Sequence, residues 1–417
     1  MKRSAPAPEN PHPGMGFREF VAFIAGLMAT NAIAIDSMLP ALPEIGESLQ
    51  IDTANHTQLV ITAYLLGFGG AQLLYGTAAD RFGRRKVLLF GLALYTIASV
   101  GALFAGSLEV MLAARALQGV GSAATRILAI TIVRDCYSGS HMARVMSLAF
   151  LVFLSVPILA PSIGQAIMLV APWRAIFLML CLLGGILFVW TLTRLPETLH
   201  PEDRSPISLG AITHAFDLIV HSRVTVGYVL AMTMVMGGLF GFINSAQQVF
   251  ADAFDAEELF TLIFAMIAVF MAASSLLNAR VVEKLGMRRV SHAALFGYCA
   301  VTVVHAAVVL ADAENIWTFS ALQGAMMFFF GLMVSNFNSM AMEPVGHIAG
   351  TASSVLGFVS TAGGALLGFA LGQHFDGTTL PLTMGFVMLS LAAVAFVLIA
   401  ERGRLFSADV SVSDTAR

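Results

Sequence analysis

Long apolar runs of about 20 residues, separated by short polar clusters, recur along the whole 417-residue chain. A run of that length spans the hydrocarbon of a bilayer as an α-helix. Twelve such spans are predicted, near 18–42, 57–78, 87–106, 109–133, 143–168, 173–193, 223–249, 259–279, 290–311, 316–340, 348–372 and 381–400. The longest polar break, "RLPETLHPEDRSPISLGAITHAFDLIVHS", divides them into two sets of six. The expected organisation is therefore a tail over 1–17, a six-helix bundle over 18–193, a linker over 194–222, a second six-helix bundle over 223–400 and a tail over 401–417. The first tail is polar and proline-rich, and is expected to be disordered. The apolar run after Arg18 is too long for the core of a cleaved signal peptide.

Composition agrees with a membrane protein. Hydrophobic residues make up 58% of the chain and charged residues 11%, against about a quarter charged in soluble domains. The position of the charge carries more than its net value of −3. Arg115 and Arg126 fall inside the fourth span and Arg174 in the loop between spans five and six. Every other Lys and Arg falls in the tails or in loops 2–3, 4–5, 6–7 and 8–9. With an even number of spans these lie on one side, which the positive-inside rule makes the cytoplasm, with both termini there. Cys136, Cys181 and Cys299 are far apart and are read as free thiols. No residue pattern suggests a metal, a cofactor, an enzyme's catalytic site or a nucleic-acid surface. Lysine occurs only at Lys2, Lys86 and Lys284, none followed by Ser or Thr, so a Walker ATP site is excluded. Any transport must run on an ion or solute gradient.

Some polar residues are costly where they stand. Asp36 is the only ionisable residue between Arg18 and Glu44, and a carboxylate within a span costs roughly 2.5–3.5 kcal/mol on insertion scales. Span four carries "RALQGVGSAATR", in which Arg115, Gln118, Gly119 and Arg126 share one helical face. Asp36 lies 18 residues past Arg18, and Arg115 lies 19 residues before Arg134; at 1.5 Å per residue these depths are about 27 and 28 Å. Opposite charges at equal depth suggest either a structural ion pair or a carboxylate whose protonation responds to Arg115 and to substrate. The cost of removing a charge from water and the attraction of a nearby cation would together poise Asp36 to exchange a proton.

"DRFGRRKV" (80–87) and "EKLGMRRV" (283–290) occupy equivalent places in the two halves, the mark of an internal repeat. In the first copy, Gly76, Asp80, Arg81, Gly83, Arg84 and Arg85 fit Gly-x-x-x-Asp-Arg-x-Gly-Arg-Arg. Gly83 is expected to make the turn, Asp80 to face the N-terminus of another helix, and the arginines to meet acids such as Asp135 in a conformational latch. Span five, "SVPILAPSIGQAI", carries Pro157, Pro161 and Gly164, which suggest a kinked and closely packed helix. Tyr64, Phe240, Asn244, Gln247, Gln248 and Asn336 are candidates for a cavity lined by apolar and amide groups.

"GTAADRFGRRK" is similar to the loop 2–3 signature of the major facilitator superfamily, and Arg115 with Gly119 resembles its span-four signature in proton-coupled members. "SVPILAPSIGQAI" is similar to the antiporter signature of span five, although Val156 and Gln165 depart from it. "DSMLPALPEI" (36–45) and "NFNSMAMEPVGHIAGTASSVLG" (336–357) resemble segments of the Bcr/CflA group. The resemblance implies an all-α integral membrane protein with twelve helices in two pseudo-symmetric bundles, the major facilitator fold. It also implies export of amphipathic antibiotics from a bacterial inner membrane in exchange for protons, with no cofactor. The expected partners are a small-molecule substrate, protons and the lipid bilayer, and the chain is expected to be a monomer. A proton-linked importer of a metabolite, or a sensor without flux, remains open at this point.

Overall fold

Pro40 decides where the first span bends. An α-helical Asp36 carbonyl would accept from the N–H four residues on, and proline has none. Helix α1 (Phe17–Asp36) accordingly ends at Asp36, and the chain continues through a 3₁₀ turn (Leu39–Ala41) into a short helix (Leu42–Ser48). The expected run over 18–42 is thus one span broken after Asp36 and extended to Ser48.

The structure is a computed structural model that describes residues 15–199, 202, 204 and 209–406. Among these, twelve helices are long and apolar enough to cross a membrane. After α1 they are α2 (Leu59–Phe82), α3 (Arg84–Leu103), α4 (Leu108–Cys136), α5 (Gly139–Met168), α6 (Arg174–Arg194), α7 (Arg223–Gln248), α8 (Phe260–Leu285), α9 (Met287–Leu310), α10 (Ile316–Met342), α11 (Ala349–Gln373) and α12 (Leu380–Ala400). They form two bundles, α1–α6 and α7–α12, that meet where α2 packs on α11 and α5 on α8. Large apolar side chains such as Phe90, Ile97, Leu182 and Leu391 remain exposed on the outside, as a lipid-facing surface requires.

The ends of the bundles are called here the terminal end, where α1 begins and α12 stops, and the far end. The expected tail over 1–17 lies mostly outside the described residues. The linker is not wholly irregular, since Leu209–His221 is helical. The start of the last tail is tied down: Glu401 accepts hydrogen bonds from Arg288 and Tyr228.

The internal repeat is visible in the backbone. Gly83 has φ 97° and ψ 152°, and Gly286 has φ 83° and ψ 152°, a conformation strained for any residue with a Cβ. A Cβ on Gly83 would also fall 2.3 Å from the Glu197 carboxylate. One side chain is missing for two reasons: the turn and the close approach.

Candidate functional site

A cavity of about 1280 Å³ lies between the two bundles. Its wall runs from Asn31 and Asp36 in the interior to Asp80, Arg134, Met342 and Gly350 at the terminal end. The far end is closed by amide side chains joining the halves. Asn55 donates to the carbonyls of Gln373 and Phe375 at 3.2 and 2.9 Å, and Gln373 returns a bond to the Asn55 carbonyl at 2.7 Å. Gln58 donates to Gln248 and to the Gly372 carbonyl, and Gln248 to Asn55. Asn244 reaches Thr62 at 3.5 Å. The molecule is therefore open at one end and shut at the other.

This placement corrects part of the expected cavity. Phe240 does line it. Gln248 serves the far-end closure, and Asn244, Gln247 and Gln248 border a separate cavity of about 380 Å³ there. Tyr64 is fully buried behind the wall, donating to Asn31 at 3.0 Å. Asn336 also stands behind the wall, paired with Asn278, which does line the cavity. Gln248 and Asn244 sit where helix ends touch across the bundles, and their amides are used there for closure.

Asp36 lines the interior of the cavity and is 5% exposed. No hydrogen bond or ion pair holds its carboxylate among the described residues. Its position is set by the break after α1. Ser37 donates its hydroxyl to the Ile33 carbonyl at 2.6 Å, and α5 presses against the break at Gly164, where a Cβ would come within 1.8 Å of the Ser37 carbonyl oxygen. Pro157 and Pro161 both lie within helix α5.

Arg115 is level with Asp36 but does not pair with it. Its guanidinium donates to the carbonyls of Val60 and Ala34, each at 3.1 Å, and to the Gln118 side chain. Gln118 in turn donates to Ser99 at 2.7 Å. The Tyr64 ring covers the cation, with 4.5 Å from its carbon to the ring centroid. Of the two alternatives, the structural ion pair is not formed among the described residues, because carbonyl oxygens and an amide occupy the fork. Arg115 instead ties α4 to α2 and to α1 two residues before Asp36. Gly119 permits the same approach, since its Cβ would meet the Tyr64 carbonyl at 2.0 Å. Arg126, on the same face, projects into the cavity.

At the terminal end Arg84 gathers acids. It bonds Asp135 at 3.0 Å and Asp80 at 2.7 Å, while its backbone N–H donates to Glu197 at 2.7 Å. Thr198 adds a bond to Asp135. Among the described residues, Arg84 is the one of the three arginines that meets acids. Arg85 donates to the Leu192 carbonyl, and the Arg81 cation lies over the Phe82 ring. Asp80 turns to Arg84, the first residue of α3, and so faces the N-terminus of that helix, while Gly76 faces Ser354 of α11. In the second half Arg288 bridges Glu343 and Glu401 at 2.8 and 3.1 Å, the counterpart of the Arg84 cluster shifted by one position in the repeat.

Sequence reasoning missed Asn55, Gln58, Gln373 and Glu197, which sit in loops or at helix ends where polar residues are unremarkable. It also passed over Asn31 and Gln72. Asn31 is in span one, only five residues before Asp36, and Gln72 interrupts span two.

Comparison with known proteins places these features. The family model described as Major Facilitator Superfamily matches residues 20–368. The chain is 29% identical over 385 residues to a bicyclomycin resistance protein homolog of Haemophilus influenzae, covering 91% of this chain and 96% of the relative. It is 31% identical over 347 residues to a chloramphenicol resistance protein of Pseudomonas aeruginosa, covering 81% and 79%. Among solved structures a D-xylose–proton symporter superposes with a TM-score of 0.72 at 15% identity, covering 93% of this chain and 98% of that one. With twelve spans, a repeated terminal-end cluster and a cavity between two bundles, this chain belongs to the major facilitator superfamily, a family of transporters rather than enzymes, and resembles its Bcr/CflA-like members.

Proposed function

We propose that the protein exports amphipathic drugs in exchange for protons, by alternating access across a bacterial inner membrane, with both termini in the cytoplasm. The single observation that carries the coupling is Asp36: a carboxylate without a hydrogen-bonding or ionic partner among the described residues, on the wall of a cavity that both halves share, at the break of α1. An uncompensated charge there is costly, so its protonation is tied to whether water or an apolar ligand fills the space beside it. Export is supported by the names of the relatives, which are resistance proteins.

In this reading the structure is the inward-open form. Arg115 acts as a positioning residue, holding the α1 backbone next to Asp36. The Arg84–Asp80–Asp135 cluster acts as the latch, rearranging when the terminal end closes. Asp36→Asn keeps the size of the protonated carboxyl but cannot titrate. It is expected to retain binding of neutral drugs and to lose proton-driven export. The test is drug-evoked pH change in everted vesicles across a compound panel, with proton release on drug binding measured in purified protein over a pH series. Equal proton release from the parent and Asp36→Asn, with export against a gradient intact, would place the titrating group elsewhere.

A further inference from the structure

The wall of the large cavity is electrically lopsided. Among the described residues its ionisable lining side chains are Asp36, Asp80, Arg126 and Arg134, all from the first bundle. The described lining of the second bundle is neutral, with Met232, Met236, Phe264, Met271 and Phe330 among it. The four charges are not equivalent. Asp80 is held by Arg84, and Arg134 stands two helical turns closer to the terminal end than Arg126. Asp36 belongs to the coupling site. That leaves Arg126.

Arg126 has no hydrogen bond or ion pair among the described residues. Its cation instead stands over an aromatic face, 5.9 Å from the guanidinium carbon to the Phe68 centroid. It is exposed to the cavity. Arg115 lies eleven residues before it in α4, about 16 Å deeper by helical rise, and marks the level of Asp36 through its bond to the Ala34 carbonyl. Asp36 and Arg126 are thus separate points along the cavity.

A solvated guanidinium is inexpensive while the cavity is open to water. Closure of the terminal end removes that water, and a buried cation without a counter-charge is then strongly unfavourable. A guanidinium does not escape by losing its proton. The wall opposite is neutral, so the compensating charge has to arrive with the cargo. We infer that Arg126, backed by Phe68, is a specificity-determining residue that recognises an anionic group, so that the favoured substrates are aromatic or aliphatic organic acids with an apolar body. The fork of the guanidinium matches a carboxylate or sulfonate, and the methionine and phenylalanine wall accepts the body.

This inference rests on the reading of the large cavity as the substrate site. It is tested with the purified full-length protein in lipid nanodiscs, using biphenyl-4-carboxylate and biphenyl-4-carboxamide as probes in titration calorimetry. The parent is expected to bind the acid about tenfold more tightly than the amide, the size of a hydrogen bond to a charged group. Arg126→Gln should level the two affinities while binding the amide as the parent does, which also shows that the variant is folded. Arg126→Lys should recover part of the preference. Equal affinities in the parent, or a preference that survives Arg126→Gln, overturns the inference. If the amide is still bound and exported, only this inference falls. If the parent binds neither probe and exports nothing across a broad panel, the substrate-site reading falls with it.

Discussion

Gln248 at the end of α7 donates its side-chain amide to Oδ1 of Asn55, 2.9 Å away across the boundary between the two bundles. Asn55 uses its own amide nitrogen on the carbonyls of Gln373 and Phe375, so one side chain connects the first bundle to two helices of the second. Neutral hydrogen bonds of this kind contribute about 1 kcal/mol each. A clasp of several is strong enough to bias the resting form and weak enough to be reopened.

Asn55→Ala removes those donors and the acceptor for Gln248. The population with the far end open is expected to rise about a hundredfold, as the loss of three bonds of about 1 kcal/mol each from one side of a two-state equilibrium dictates. Spin labels at the exposed positions 52 and 376 would report it as a longer distance component. An unchanged distribution would mean that the clasp does not hold the far end.

The terminal-end cluster predicts a ranking. The Arg84 side chain is 5% exposed and its partners Asp135 and Asp80 are 17% and 50% exposed. Breaking the sheltered pair should cost more than breaking the exposed one. Asp135→Asn is expected to lower unfolding stability by about 1–2 kcal/mol, and Asp80→Asn by less than about 1 kcal/mol. Asp80→Asn should slow transport without affecting membrane insertion. Thermal melts in detergent and initial uptake rates at equal expression separate the two, and a reversed order of stability would refute the ranking.

Gly164→Ala drives a methyl group into the Ser37 carbonyl, 1.8 Å away, and must push α5 off the break after Asp36. The expected cost is about 1–3 kcal/mol of stability, with loss of proton-linked transport. Gly185→Ala is the control. It lies in α6 with nothing within 4 Å of its added Cβ, and should be neutral or slightly stabilising. Similar behaviour of the two variants would remove the steric argument.

Arg115 offers a distinction between charge and geometry. Its three donor contacts fan out to Val60, Ala34 and Gln118, a span that an ammonium group does not reproduce. Arg115→Lys is therefore expected to fail nearly as badly as Arg115→Ala, in monodispersity after purification and in transport. Full recovery with lysine would show that a positive charge suffices and would restore the case for pairing with Asp36.

The spans were legible because lipid imposes length and hydrophobicity on each helix separately. Gly83 and Gly286 were legible because a positive φ leaves a local mark on sequence, repeated in both halves. Depth was legible too: counting residues put Arg115 at the level of Asp36, and its bond to the Ala34 carbonyl agrees. The choice of partner was not. A guanidinium satisfied by backbone carbonyls leaves no complementary acid to find, since every residue has a carbonyl. The clasp stayed hidden for a related reason. Asn55, Gln58 and Gln373 acquire meaning only when loops from opposite halves are brought together, and nothing local distinguishes them from ordinary loop residues.

The neutral lining contributed by the second bundle has an evolutionary consequence. Replacing a methionine by a phenylalanine on that wall alters the shape offered to cargo and leaves Asp36, Arg115 and the Arg84 cluster untouched. The substrate range can then drift by single apolar substitutions in one half, while Asp36, Arg115 and the Arg84 cluster are inherited unchanged in the other. A gene of this construction needs no new machinery to meet a new toxic compound, only a different fit on one side of the cavity.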